Sequence, residues 1–567
     1  MGHEWLYYFM HPTCSNEASL LYLPTETILR IIKQGLGPKD VVALSLTCRS
    51  LCEICYTLTV WQDIAHTIAW IHPLPLPPFK TLQTLTLREL VKVCQRHSGL
   101  LESTSDLPKI ESNHRRLEIC GLGNNGWGAV YHFAFLEGGR YLMILHHNGT
   151  FTCWDILQGS GVLLAQFVTA SYPAGWNFQT NPEKAEVLMV LATVHLGESK
   201  LDVLNLTFFP DEEIQLKITR LASRAAPFRC EKISIHDNFV CVCSSRTTSP
   251  HYNVQLFVWD MTNDLHTFVD TGITSSPRSW DNFLCLPHGI MLYCENGEHA
   301  YTYWYEDARK LLEEGAFLCQ TDPESAATGR LRSPDGSQVY TFDGDCVLSN
   351  DRRFYFVGHP INNINGKISR HNNLVSIISL SQGVGPRPGA TKREVELFEG
   401  GLYPFNRTLT QHWFAPPLRR SATLPESSQQ ETMESELPVI RRWIHHIPFD
   451  ALASDHVHGD MACIGSHGTH LLWIWDDIRA DMEGRPNSRL FVASLLPTAQ
   501  ASERGFPSEA AIRDVNFERR GEFGIDLRRV TTMYMEDSHG IVGLGMYPKI
   551  NGALDGTDLI HIHLLYL

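Results

Sequence analysis

The sequence predicts a multidomain α+β protein in which a small unit of three helices precedes a much larger all-β domain. Apolar residues recur at helical spacing between Leu23 and Trp61. Beyond Arg115 the chain changes to short alternating strands bounded by Gly, Asn, Asp and Pro. At 567 residues it is also too long for one ordinary core. The predicted regions are an N-terminal tail at 1–19, the helical unit at 20–65, a helical linker at 66–114 and the β domain at 115–567.

The composition excludes several classes of protein. The net charge is −15 and no long basic run interrupts the acidic balance, which argues against nucleic acid as a partner. The first residues, MGHEWLYYFM, show no secretory signal, and the longest apolar runs, such as Val187–Val194, are too short to span a bilayer. The fifteen cysteines are odd in number and irregularly spaced, as expected of reduced thiols. We expect a soluble cytoplasmic and/or nuclear protein without a membrane partner.

The three helices follow from helix-start and helix-stop signals. Pro24 suits the first turn of helix 1, and the Gly37-Pro38 pair ends that helix. Asp40 is a suitable N-cap for helix 2, and helix 3 follows with Leu51. Three short helices can bury little of their own apolar surface. We therefore expect that Ile28, Leu29, Ile32 and Leu44 cannot all be buried within the unit, and that part of this set faces a partner.

The order of residues in this unit resembles the F-box family. The shared pattern is Leu-Pro-x-Glu, Ile-Leu-x-x-Ile, Pro-x-Asp-Val, Leu, Cys-Arg and a closing Trp. One departure is Leu51, where many members carry an aromatic residue. In that family the helices dock onto a Skp-type adaptor, which connects the protein to a cullin-RING ubiquitin ligase. The adaptor-binding residues that the resemblance implies are Leu23, Pro24, Glu26, Ile28, Leu29, Ile32, Leu36, Asp40, Val41, Leu44, Cys48, Arg49, Leu51 and Trp61.

A linker connects the helical unit to the β domain. It begins with the proline-rich run His72–Pro78, which is a stiff break in the chain. A helix is predicted from Leu82 to His97, because apolar residues recur there at helical spacing. In F-box proteins a helix in this place is a familiar linker, which holds the adaptor and the substrate domain at a set distance.

The β domain contains a repeated unit of three strands. Its clearest copy, Ala129–Gly159, reads strand, Gly-Gly turn, strand, Asn-Gly-Thr turn and a third strand that ends in Trp-Asp. The third strands are predicted to end at Trp154-Asp155, Trp259-Asp260 and Trp475-Asp476, with weaker copies around Leu204, Trp304 and Ile378 and in the terminal LIHIHLLYL. This pattern resembles a degenerate WD-repeat β-propeller of about seven blades, with eight possible. Stacked β-sandwich domains are the alternative.

Two further expectations concern the strands at the ends of this domain and one of its loops. The sequence ends after a third strand, so the last blade lacks its outer strand. Arg115–Cys120 (RRLEIC) is predicted to pair with that blade and close the ring, which removes exposed sheet edges. The polar segment near 417–438 is predicted to be a disordered insertion.

Several short motifs resemble chemical sites but lack the residues or context that the chemistry needs. Gly121-x-Gly123-x-x-Gly126 has the spacing of a dinucleotide fingerprint, but a strand follows it where the mechanism needs a helix. His456-x-His458-x-Asp460 lacks further ligands for a metal. Arginine pairs can read phosphate, although most are solvated sheet edges. These pairs are Arg352–Arg353, Arg441–Arg442, Arg519–Arg520 and Arg528–Arg529. We predict no catalytic site, no cofactor and no metal.

The sequence as a whole predicts the substrate-recognition subunit of a Skp-cullin-F-box ubiquitin ligase. The helical unit would bind the adaptor, and the propeller would bind a protein target that the sequence does not identify. One alternative is an F-box scaffold that delivers nothing for ubiquitination. The other is a propeller enzyme with a helical N-terminal extension.

Overall fold

The structure of the chain is a computed structural model. It describes residues 23–71, 74–105, 109–111, 113–119, 130–136, 138–157, 161–169, 171–195, 198–209, 215–226, 230, 232–248, 251–275, 282–286, 289–296, 299–305, 308–321, 330–331, 336–341, 353–358, 375–384, 405–414, 439–446, 462–465, 470–475, 489–494, 512–516, 527, 530–536, 538–546 and 560–566. The motifs at 121–126 and 456–460, the predicted insertion at 417–438 and the pairs at 519–520 and 528–529 lie outside these ranges.

Helices occupy the N-terminal part of the described chain. They are α1 (Thr25–Gly35), α2 (Pro38–Ser45), α3 (Arg49–Cys55), α4 (Leu58–Ile71), a 3₁₀ turn (Leu82–Thr84) and α5 (Leu87–Ser105). The first three correspond to the predicted helices. Helix α4, which contains the closing Trp61, was not predicted from the sequence.

Helix starts differ from the prediction by a few residues. Pro24 is the N-cap of α1 and precedes its first turn. The N-cap of α2 is Gly37, so the prediction for Asp40 was wrong. Asp40 instead sits at the third position of the helix, where its carboxylate accepts the Gly37 N–H at 3.0 Å.

The linker helix also starts later and ends later than predicted. It begins at Leu87 and not at Leu82, because Thr86 and Glu89 form a capping box. The Thr86 N–H donates to Glu89 at 2.9 Å, and the Glu89 N–H donates to the Thr86 hydroxyl at 3.4 Å. The helix continues past His97 to Ser105.

One hydrophobic core joins the N-terminal helices to the linker. Trp61 and Val60 from α4 are buried in it, and so are Leu90 and Cys94 from α5. Leu82, the first residue of the 3₁₀ turn, belongs to the same core. The linker helix therefore supplies apolar surface that the short helices need for their burial.

Seven sheets of four antiparallel strands follow one another along the described part of the chain, and we number them as blades 1–7. Blade 1 contains β3 (Val130–Phe135), β4 (Tyr141–His146), β5 (Thr150–Asp155) and β6 (Val162–Val168), and blade 2 contains β7 (Tyr172–Asn181), β8 (Glu186–His195), β9 (Glu198–Phe209) and β10 (Gln215–Ala226). Blade 3 contains β11 (Lys232–His236), β12 (Phe239–Thr248), β13 (His251–Asp260) and β14 (Leu265–Ser275), and blade 4 contains β15 (Asn282–Leu286), β16 (Gly289–Asn296), β17 (His299–Tyr305) and β19 (Gly336–Thr341).

The later blades have the same order. Blade 5 contains β20 (Arg353–Gly358), β21 (Val375–Val384), β22 (Phe405–Phe414) and β23 (Val439–His446), and blade 6 contains β24 (Ala462–Ile464), β25 (His470–Trp475), β26 (Arg489–Ser494) and β27 (Ile512–Asn516). Blade 7 contains β28 (Val530–Glu536), β29 (Ile541–Met546), β30 (Ile560–Tyr566) and, from before blade 1, β2 (Asn113–Ile119). Two short strands, β1 (Lys109–Glu111) and β18 (Arg330–Leu331), add parallel to the outer strands of blades 6 and 3. Helix α6 (Ala308–Thr321) lies between β17 and β18 and packs against blade 3.

The first strands of neighbouring blades lie side by side, which is the arrangement of a propeller. Between blades 1 and 2, the Tyr131 hydroxyl donates to the Ala174 carbonyl at 3.0 Å. Between blades 2 and 3, the Asn177 amide donates to the Ile233 carbonyl at 2.9 Å. The first strand of blade 7 packs against that of blade 1, with the Phe133 and Tyr534 rings 6.4 Å apart. This last contact connects the final blade to the first.

The predicted closing strand is confirmed. Strand β2 pairs antiparallel with β30, with Leu117 opposite Ile562 and Ile119 opposite Ile560. Leu117 is fully buried among residues of blades 1 and 7. The last sheet thus receives its fourth strand from the segment before the first blade, and the edge of β30 is paired.

Most of the predicted third strands are third strands, and two are not. Trp154, Leu204, Trp259 and Trp304 lie on the third strands of blades 1–4, and LIHIHLLYL contains the third strand of blade 7. Ile378 and Trp475, however, lie on second strands, β21 and β25. The two central strands of a four-stranded blade are each covered by a strand on both sides, so both read as apolar runs and the sequence pattern does not separate them.

Candidate functional site

The fourteen residues singled out by the sequence fall into three groups by burial. Ile28, Ile32, Val41, Leu51 and Trp61 are buried in the helical core. Leu23, Leu29, Leu36, Leu44 and Cys48 are half-buried against it. Pro24, Glu26, Asp40 and Arg49 are exposed. The expectation that Ile28, Leu29, Ile32 and Leu44 cannot all be buried is confirmed, because Leu29 and Leu44 keep part of their surface in solvent.

Further apolar side chains of the helical unit are exposed and were missed by the sequence analysis. Among the described residues, four of the eleven exposed large apolar side chains lie between residues 31 and 58. They are Ile31, Leu46, Tyr56 and Leu58, and Leu46 is 81% exposed. Ile31 lies beside the buried Ile32, and Leu46 is the C-cap of α2. The sequence did show apolar residues outside the buried face of each helix, which could have indicated a docking surface. Single exposed leucines are common in proteins, so this signal is weak.

Two ion pairs lie on the surface of the short helices around these residues. Lys33 on α1 pairs with Asp63 on α4 at 2.5 Å. Arg49 pairs with Glu53 one turn further along α3 at 3.0 Å. Both pairs are substantially exposed, so each contributes little to stability.

Three cysteines follow one another on α3 at its N-cap and at the next turns. Cys48 and Cys52 are half-buried, and Cys55 is fully buried. Burial, followed by the neighbouring thiols of Cys52 and Cys48, raises the pKa of the Cys55 thiol. A raised pKa disfavours the thiolate that binds metals. Within the described ranges, no group of three or more His, Cys, Asp or Glu side chains is placed to hold a metal ion.

The Trp-Asp ending of blade 1 is part of a buried polar network. The Trp154 indole donates to the Thr152 hydroxyl at 3.0 Å, and that hydroxyl lies 3.2 Å from His146. The buried Asp155 accepts hydrogen bonds from Arg140 at 2.7 and 3.0 Å. These contacts join β4 to β5 and are structural.

The interface between blades 1 and 2 holds a neutral histidine. Desolvation lowers the pKa of His132 to about 4. Its Nδ1 accepts a hydrogen bond from the Trp176 indole at 2.9 Å. An acceptor nitrogen requires the neutral ring, so the hydrogen bond and the lowered pKa agree.

The two ends of the propeller strands differ in what they contact. Phe79 of the linker packs against Tyr141 and Phe208 at one end of blades 1 and 2. The Phe208 N–H donates to the Ala185 carbonyl, next to the start of β8. Tyr172 pairs with Val194 near the other end of β8. That strand is ten residues long, or about 30 Å, so Tyr172 lies far from the linker contact.

Exposed apolar residues occur at the end that carries Tyr172. The Tyr172 side chain is 75% exposed, and Val168 at the end of β6 is 62% exposed.

The structure describes only the backbone of some residues of the arginine pairs at 352–353 and 441–442. Arg353 belongs to β20 and the second pair belongs to β23, but their side chains lie outside the described part of the structure. The predicted role of these pairs in phosphate recognition stays a prediction.

Comparison with known proteins identifies the helical unit. Residues 20–67 match the family described as F-box-like. No match was found among the curated proteins. Among solved structures, the chain is similar to the crystal structure of the WD40 domain of SCAP from fission yeast, with 10% identity, 77% of this chain and 82% of that chain covered, and a TM-score of 0.35. The strand order described above, and not this superposition, defines the propeller. No helix in the described ranges is long and apolar enough to cross a membrane.

Proposed function

We propose that this chain, which carries an F-box-like domain at residues 20–67 followed by a propeller, is the substrate-recognition subunit of a Skp-cullin-F-box ubiquitin ligase. The observation that carries the proposal is the set of exposed apolar side chains on the F-box-like helices. In this proposal a Skp-type adaptor covers them and connects the chain to a cullin-RING ligase in the cytoplasm or nucleus. The protein forms no covalent bond itself. It holds a target beside a ubiquitin-charged enzyme, which raises the effective concentration of the acceptor lysine.

The exposure of each residue decides how well it can test adaptor binding. Leu46 is almost wholly in water, and burying a leucine side chain is worth about 1.5–3 kcal/mol. Pro24 is exposed, whereas Leu23 packs partly on the helical core. Leu46 is thus the cleaner position for a test of binding, because changing it removes no core contact.

The test is co-purification with a Skp-type adaptor. We expect the wild type to recover the adaptor and Leu46→Asp to weaken recovery about tenfold or more. The double variant Leu23→Ala/Pro24→Ala should weaken it by about a hundredfold. Leu157→Asp is the matched control, because Leu157 is also exposed but lies on the propeller. Equal recovery by all variants, or no recovery by the wild type, would mean that these helices only cap the β domain.

Deleting the F-box-like helices is a poor test of target delivery. Leu82, Leu85 and Leu90 of the linker pack in the same core as those helices, so a deletion would expose them. The point variant Leu46→Asp avoids this. Proteins that the ligase delivers should have longer half-lives in cells that carry Leu46→Asp than in cells that carry the wild type. Unchanged half-lives of all bound partners would indicate a scaffold that delivers nothing for ubiquitination.

The target is proposed to bind the propeller end that carries Tyr172. The linker occupies the other end of blades 1 and 2 through Phe79. Val168 and Tyr172 offer apolar surface at the opposite end of the strands, and Tyr172 lies about 30 Å from the linker contact. A Val168→Ser/Tyr172→Ser variant should retain the adaptor but lose proximity labelling of the proteins whose half-lives respond to Leu46→Asp. Unchanged labelling would place the target elsewhere.

A further inference from the structure

A short segment of the linker, Leu74–Leu85, connects two hydrophobic cores, and we name it the strap. Leu74, Leu82 and Leu85 are buried in the core of the F-box-like helices. Between them, Phe79 packs among residues of the propeller core of blades 1 and 2. The chain thus leaves the helical core, enters the propeller and returns to the helical core within the strap.

The Phe79 ring completes a group of three aromatic rings. Its centroid lies 4.7 Å from that of Phe208 on blade 2 and 5.9 Å from that of Tyr141 on blade 1. The Tyr141 and Phe208 rings are themselves 4.7 Å apart and buried. These are the separations of favourable aromatic pairs. Beside the group, Pro78 lies so close to Gly138 of blade 1 that a Cβ there would come within 2.6 Å of its ring.

The backbone at Phe79 has an unusual conformation that its surroundings maintain. Its φ is +57°, a left-handed value that is costly for a bulky side chain and persists where neighbouring contacts enforce it. The Lys80 N–H donates to the Pro77 carbonyl at 3.2 Å, which closes the turn. The Lys80 ammonium then pairs with Glu89 on α5 at 2.7 Å. Three prolines in the strap, Pro75, Pro77 and Pro78, restrict its other conformations.

The ion pair between Lys80 and Glu89 at the end of this turn keeps its charge. The Lys80 side chain, followed by the Thr86 backbone N–H and hydroxyl, lowers the pKa of Glu89 to about 2. Glu89 therefore carries its negative charge at neutral pH. The contact between the strap and α5 accordingly does not depend on pH in the physiological range.

The chain after the linker helix makes a second attachment to the propeller, at blades 6 and 7. After α5 the chain forms β1, which pairs with β27 of blade 6, and β2, which pairs with β30 of blade 7. A single attachment would allow the helical domain to pivot on the propeller. Attachment at blades 1 and 2 and again at blades 6 and 7 resists rotation.

We propose that Phe79 is a positioning residue that fixes the F-box-like helices in one orientation on the propeller. This inference rests on the proposed function for its purpose: a target on the propeller then stays at a constant distance and angle from the adaptor. A fixed geometry favours transfer of ubiquitin to an acceptor lysine within reach, because the entropy cost of orienting the two domains is met during folding and not at each transfer. The Phe79 ring packs on Tyr141 and Phe208 of the propeller, and it acts through the placement of the two domains.

Hydrogen exchange of the strap tests the contact in the full-length protein. In Phe79→Ala we expect the Lys80 amide and its neighbours in residues 76–82 to exchange about tenfold faster than in the wild type, because the half-buried ring no longer packs on the propeller core and holds the turn closed. Phe79→Leu retains an apolar side chain and should exchange at an intermediate rate. Phe209→Ala is the matched control, since Phe209 adjoins Phe208 but is exposed. Strap exchange as slow in Phe79→Ala as in the wild type, or equally fast in Phe209→Ala, would overturn the assignment.

The consequence for orientation needs a separate readout. Fluorescent labels on genetically encoded residues at the exposed positions Lys92 of α5 and Lys184 of blade 2 report the distance between the domains. We expect a wider distribution of distances in Phe79→Ala than in the wild type, with recovery in Phe79→Leu. An unchanged distribution would show that the strap does not set orientation. Adaptor recovery is measured on the same samples, so failure of adaptor binding in the wild type is distinguished from failure of the strap.

Discussion

The closing strand of the propeller supports a quantitative prediction at Leu117. This side chain is 0% exposed and lies among apolar residues of blades 1 and 7, including Ile562 on the paired strand. A Leu117→Ala change truncates the isobutyl group to a methyl group inside a region that two blades enclose. The transfer loss alone is about 2 kcal/mol at ~0.8 kcal/mol per buried methylene, and the cavity raises the cost to about 3–5 kcal/mol.

The cavity at Leu117 has little room to collapse. Gly161 approaches so closely that a Cβ at that position would lie 2.8 Å from a Leu117 methyl group. The Gly161 backbone on one side and the β-sheet on the other restrict relaxation around the cavity. We therefore expect the loss of stability to fall in the upper half of the range of about 3–5 kcal/mol.

The assay for Leu117→Ala is urea unfolding followed by tryptophan fluorescence. Leu157→Ala is the control, because Leu157 is 66% exposed and its truncation should change stability by less than about 0.5 kcal/mol. A Leu117→Ala protein with the stability of the control would refute the reasoning, since it would mean that β2 does not hold blade 7 closed.

Two further changes test the network in blade 1 and the pH response. Asp155→Ala leaves Arg140 half-buried without its carboxylate, and we expect urea unfolding to show a loss of about 3 kcal/mol; Glu53→Ala, which removes an exposed pair with Arg49, should cost less than about 0.5 kcal/mol, and equal losses would contradict the assignment of a buried pair. Burial lowers the pKa of His97 to about 4, below its value of about 6.5 in an unfolded chain. The unfolded state therefore binds the proton first, and stability is lost as pH falls from about 6.5 towards 4. The urea midpoint should drop between pH 7 and pH 5, and His97→Gln should make that drop smaller; an equal drop in the variant would exclude His97 as a contributor.

The amino-acid sequence determined the local elements of this protein. The helical spacing of Ile28 and Ile32 specified α1, and Asn148-Gly149 specified the hairpin between β4 and β5, where Gly149 has a φ of +81°. The pairing of Arg115–Cys120 with the last blade was also predicted from the sequence, and Leu117 lies opposite Ile562 on β30. Each of these signals lies within a few residues, where backbone preference and side-chain periodicity act directly.

Tertiary structure decided the features that depend on residues far apart in the chain. Whether Trp475 belonged to a second or a third strand depended on which strands flank it, and local apolarity is the same in both cases. Helices α4 and α5 cover some faces of the short helices and leave others in solvent, and the exposure of Leu46 depended on which faces they cover. Phe79 reads as an ordinary linker residue, because its partners Tyr141 and Phe208 lie 62 and 129 positions later. Burial and pairing are properties of the assembled fold, so no local pattern in the sequence could report them.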